Sequence, residues 1–103
     1  MNIKIMIICF FMTNLAYAQN FVVNQKGLAF SEDNLTIRVN DIVSFVNQDE
    51  AFHNVYSLSD AAFFDLGSYG KGEGKEVEFD EAGEVAVECA VHPSMKMTIN
   101  VIE

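Results

Sequence analysis

Cysteine and histidine are scarce in this chain, two of each among 103 residues, and 6 basic side chains face 15 acidic ones. The shortage of Lys and Arg argues against nucleic acid and anionic lipid as partners, because both are bound through clustered positive charge. No apolar run reaches the ~20 residues that a membrane-spanning helix needs. After Gln19 no window sustains a helical period, no segment repeats, and no Pro/Ser-rich linker interrupts the chain, whose single proline is Pro93.

The opening residues, "MNIKIMIICFFMTNLAYAQN", carry Lys4, an apolar stretch from Ile5 to Met12, and Ala16-Tyr17-Ala18, the A-x-A form of a leader-peptidase site. They read as a bacterial signal peptide over residues 1–18, with a mature domain over residues 19–103 and a periplasmic destination. Cys9 leaves with such a leader, so Cys89 becomes the only thiol and a disulfide within the mature chain is excluded. An unpaired cysteine in an oxidising compartment is a liability unless something protects it, and a bound metal does so. The remaining length suits one compact domain, expected as a monomer. Loss of Lys4 makes the formal net charge one unit more negative than −9, with Asp80, Glu81, Glu84 and Glu88 gathered toward the C-terminal half. Such acidity serves solubility and steering toward a basic partner protein alike.

What is present is a period of two. Phe21 to Asn24 begins as a strand, and "LTIRV" alternates Leu35, Ile37 and Val39 with polar residues before Asn40-Asp41 turns into "IVSFVN", a pattern that predicts a hairpin. Phe52 to Leu58 is rich in aromatic and β-branched residues; Val77 and Phe79 alternate with acids; Val85, Val87 and Cys89 share one face, as do Met97, Ile99 and Val101. Turn-forming clusters separate them at residues 24–27, 31–34, 67–74 and 80–84, and Ser59 to Phe64 has room for one short helical turn. Many short strands at regular spacing predict an all-β, Greek-key β-sandwich.

The chemistry lies in "ECAVHPSMKM", Glu88 to Met97. Cys89 alone reads equally well as a small buried hydrophobe, and His92 alone as an exposed loop residue. Together, Cys-x-x-His at a strand end lets a tight loop return both donors to one point, a pairing that suits copper or zinc. The only other histidine, His53, lies in a strand far off in sequence that a two-sheet sandwich can bring to the same end. Two imidazoles, one thiolate and a weak thioether suit copper in both oxidation states, whereas zinc has little use for a methionine.

These residues resemble the blue copper proteins, or cupredoxins, and among them the amicyanin and plastocyanin branch. The resemblance runs through "LTIRVNDIVSFVNQD", "FHNV", "FDLGSYGKGEGKEVEFDEAGEVAVEC" and "VHPSMKMTINV". It implies a sandwich of about seven to eight strands that holds one type 1 copper ion at one end, through His53, Cys89, His92 and a methionine. The amicyanin-like His-Pro-x-Met spacing names Met95, and the longer plastocyanin-like loop names Met97. Pro93, and the family register counted back from Ile99 and Val101, favour Met95. The resemblance also gives Asn54 the task of tying its strand to the cysteine loop. Ala90 and Val91 depart from the family, where serine or threonine and proline are usual.

The function so implied is periplasmic electron carriage by a protein that is not an enzyme, its partner a cytochrome or an amine dehydrogenase. Copper storage or delivery is the alternative. A cysteine-nucleophile enzyme with His53 or His92 as base lacks any oxyanion signature in so short a chain.

Overall fold

The computed structural model describes residues 17–103; the leader expected over residues 1–18 lies, except for Tyr17 and Ala18, outside the described residues. Eight strands follow one another: β1 (Asn20–Gln25), β2 (Asn34–Arg38), β3 (Ile42–Asn47), β4 (His53–Ser59), β5 (Ala62–Tyr69), β6 (Gly74–Glu78), β7 (Gly83–Glu88) and β8 (Lys96–Ile102). They form two sheets, one ordered β1-β3-β6 and the other β2-β8-β7-β4-β5. The pairs β1/β3 and β2/β8 are parallel and the rest antiparallel, so the all-β sandwich expected from the period-two pattern is the fold observed.

Each strand sends alternate side chains between the sheets, as its pleat requires. Val43, Phe45 and Asn47 face inward from β3, Val85 and Val87 from β7, and Met97, Ile99 and Val101 from β8. Phe30 meets Phe45 edge to face with ring centres 6.3 Å apart, and Phe64 meets Phe79 likewise at 6.0 Å. This is the favourable aromatic geometry, in which a positive ring edge faces a negative ring face.

Three local expectations are corrected. Residues 35–47 do not form a hairpin: β2 and β3 lie in different sheets, and Asn40-Asp41 carries the chain across. Asn40 takes φ 76°, its N–H donates to the Phe79 carbonyl, and the buried Asp41 carboxylate accepts the N–H groups of Gln19 and Arg38, both at 2.8 Å. The non-local partners among these, Gln19 and Phe79, are invisible to alternation and choose the crossing. Ser59 to Phe64 holds no helical turn; Asp60 and Ala61 join β4 directly to β5.

The third correction is that Gly67, Ser68 and Tyr69 are strand rather than turn. Register passes from Asn54↔Ser68 to Tyr56↔Asp65, so Leu66 and Gly67 together oppose Val55 in a β-bulge. Gly67 takes φ 72°, and its N–H donates to the Asp65 carboxylate at 2.9 Å. The extra residue reverses the inward parity of β5: Phe64 and Leu66 face the core before the bulge, and Tyr69 after it. Tyr69 thereby arrives opposite His53.

Truncating the buried ring in Phe45→Ala is expected to cost about 3–5 kcal/mol of unfolding free energy, measured by urea denaturation. Phe63→Ala, at a side chain 78 % exposed, is expected to change it by no more than about 0.5 kcal/mol.

Candidate metal centre

His53 is the first residue of β4, Cys89 follows the last residue of β7, and His92 lies in the loop from Cys89 to Met95 that leads into β8. β4 and β7 pair only at Tyr56↔Glu88; toward this end of the sandwich their ladder stops. The Asn54 side chain bridges the opening instead. Its Oδ1 accepts the Ala90 N–H at 2.8 Å and lies 3.4 Å from the Cys89 sulfur, which donates to it as a thiol. Since Ala90 offers only its backbone, this is the contact the sequence left open to Asn54.

The loop closes on itself. The Cys89 N–H donates to the Met95 carbonyl at 3.2 Å, and the Met95 N–H to the His92 carbonyl at 2.9 Å. Cys89 and Met95 are both buried, His53 is fully buried, and His92 is partly exposed. Met97, one pleat further on in β8, stands opposite Val87 and belongs to the core cluster.

Nδ1 of His53 lies 3.0 Å from Nδ1 of His92, and the Cys89 sulfur lies 3.8 Å from each. The three donor atoms fall within 4.8 Å of one another. The structure therefore brings together the three strong donors named from the sequence and buries Met95 at the base of the same loop.

The profile described as "Copper binding proteins, plastocyanin/azurin family" matches residues 17–102. The chain belongs to that family. It is 30% identical over 87 residues to "Methylamine utilization protein MauL" of Methylorubrum extorquens, covering 84% of this chain and 76% of that protein. Among solved structures it superposes on an amicyanin variant in the Cu(I) state with a TM-score of 0.74 at 24% identity, over 80% of this chain and 81% of that one. It also superposes on the copper-containing nitrite reductase of Thermus scotoductus with a TM-score of 0.76 at 28% identity, but over only 22% of that chain. Membership of that family agrees with the expectation that the protein is not an enzyme.

Copper is the cofactor of this family, and the donor set fits it. With metal–donor lengths like those at zinc sites, about 2.05 Å to nitrogen and about 2.3 Å to sulfur, a trigonal arrangement puts sulfur about 3.8 Å from each nitrogen. Both sulfur–nitrogen separations have that value. The same construction puts the nitrogens about 3.5 Å apart, so the hydrogen-bonded imidazoles, at 3.0 Å, need only part slightly. A thiolate and two imidazoles, with a thioether near by, form the pattern of a type 1 copper site.

Sequence reasoning missed the polar residues beneath these donors. Asn47, fully buried, donates to the carbonyls of Ala51 and Tyr69 at 2.9 and 3.0 Å and accepts the Asp49 N–H at 2.8 Å, fixing the loop before His53. Asp49 Oδ2 lies 2.9 Å from Nε2 of His53. The Tyr69 hydroxyl donates to the buried Gln25 Oε1, and burial, with a smaller contribution from the charge of Cys89, pushes this phenol far up from its ordinary pKa. The only available signal was the inward parity of Asn47 in "IVSFVN".

Asn54→Ala hands the exposed Ala90 N–H back to water, and a loss of about 0.5–1.5 kcal/mol of stability is expected. Denaturant titration measures it, and faster hydrogen exchange at the Ala90 amide places it.

Proposed function

We propose that the protein is a periplasmic electron carrier in which His53, Cys89 and His92 would hold one copper ion, with the Met95 thioether as a weaker fourth donor. One observation carries the reading: three donor side chains, two of them buried, converge within 4.8 Å from segments 36 residues apart. Bound there, copper supplies a one-electron couple between Cu(II) and Cu(I).

The chain's own residues supply the rest. His53 and Cys89 are shut away from water, while His92 reaches toward the surface through a rim of exposed Phe52, Val91 and Pro93. That rim suits the small, transient contact of a redox encounter, with the His92 ring as the port. The loop tied from Cys89 to Met95, and the Asn54 bond that joins it to the strand of His53, would hold the donors of a bound copper in place, which suits one-electron transfer. Met95 is preferred to Met97 because its backbone is bonded to both Cys89 and His92, whereas Met97 lies within the β7/β8 ladder.

The acidic surface favours a basic partner, a cytochrome or an amine dehydrogenase; the name of the methylamine-utilization relative and the amicyanin likeness support the latter. The leader at residues 1–18, removed after Ala18, delivers a monomeric domain of residues 19–103 to the periplasm. Storage or delivery of copper is less well supported, since among the described residues both Met95 and Met97 are buried rather than displayed for handover.

Residues 19–103 loaded with Cu(II) are expected to show an intense blue band that disappears on reduction and is absent from Cys89→Ser. A colourless or pale wild-type product sinks the electron-carrier reading. Met95→Leu is expected to shift the reduction potential in voltammetry, while Met97→Leu changes it little. The reverse order would transfer the role of fourth donor to Met97.

A further inference from the structure

The ring of His53 has two nitrogens and each has a separate neighbour. Nδ1 faces His92 and Cys89, while Nε2 points the opposite way, to Asp49 Oδ2 at 2.9 Å. An ionised carboxylate only accepts hydrogen bonds, so Nε2 must carry the ring proton. The lone pair of the neutral ring is then on Nδ1, among the other donors.

Asp49 is itself held by an unusual support. Its Oδ1 accepts the Gly27 N–H at 2.8 Å and its Oδ2 the Leu28 N–H at 3.0 Å. Gly27 and Leu28 are the two central residues of a tight bend, with φ 64° and 54°, flanked by the bond from the Lys26 N–H to the Ala29 carbonyl. Both lie in the left-handed region, which glycine takes freely and residues with a side chain seldom do. Leucine adopts that region only where its surroundings fix it. Here the fixing contact is the carboxylate. From the other side, the buried Asn47 orients Asp49 through its backbone N–H. The hydrogen bond with His53 first, and then the N–H groups of Leu28 and Gly27, hold the Asp49 carboxyl down at about 2.

We propose that Asp49 is a positioning residue for the copper centre: seated on the Gly27-Leu28 turn, its carboxylate locks His53 in the Nε2–H tautomer and biases the bound metal toward Cu(II). This rests on the copper reading above. A carboxylate drawing on the far proton of a metal-bound imidazole makes that imidazole a stronger donor. The stronger donor favours the more highly charged ion, so the carboxylate lowers the reduction potential.

The test is Asp49→Asn, which keeps a carbonyl oxygen for the turn and removes the charge. Its blue band should persist, while its potential rises by at least about 59 mV, equivalent to a tenfold change in the ratio of Cu(II) to Cu(I) affinity. Nitrogen NMR of the diamagnetic Cu(I) wild-type protein should find His53 protonated at Nε2, with that proton slow to exchange, and the variant should lose this protection. A blue variant whose potential equals that of the wild type overturns the proposal and leaves the carrier reading intact. If the variant does not fold, the wild-type spectrum still decides: an Nδ1–H tautomer at His53 overturns the role of Asp49. A wild-type protein without the blue band removes both readings together.

Discussion

Everything at the metal end depends on β4 and β7 parting after a single bridged pair, Tyr56↔Glu88. Had the ladder continued, backbone would occupy the space in which His53, Cys89 and His92 meet. An open ladder normally leaves donors and acceptors unmatched, and buried ones are costly. Asn54 resolves this by spanning the gap with a side-chain oxygen that accepts the Ala90 N–H. The gap between β4 and β7 is thus spanned by a side chain rather than by backbone.

The loop from Cys89 to Met95 and the loop before His53 are rigid for different reasons. The first is closed by its own backbone. The second is cross-linked by Asn47, whose amide spends both sides of its hydrogen-bonding capacity on Ala51, Tyr69 and Asp49. An inward polar residue at the end of an apolar strand face would be unfavourable without those partners. With them, the hydrophobic core passes into a polar frame at the point where the metal donors begin.

Strand positions, the inward face of Cys89 and the meeting of both histidines were legible in the sequence because alternation and ligand spacing are local or chemically rare signals. The sheet to which each strand belongs was less legible. "LTIRVNDIVSFVN" looks like a hairpin, but Asp41 reaches Gln19 and Asn40 reaches Phe79, and no local pattern encodes those partners. The β5 bulge hid for a similar reason, since "GSYG" has turn composition although Ser68 and Tyr69 are paired strand and Gly67 belongs to the bulge. Asp49 stayed hidden among 15 acids, its role visible only once the Gly27-Leu28 turn is beside it.

The bulge at Leu66-Gly67 makes the floor of the centre a question of counting rather than of chemical identity. Tyr69 stands under His53 and receives the Asn47 amide on its carbonyl only because one surplus residue has turned β5 over. Exchanging side chains along β5 leaves that phase untouched, whereas pairing that ran on regularly from Asp65 would present Ser68 where Tyr69 belongs. The surplus residue, rather than the identity of any side chain, therefore decides which face of β5 meets His53.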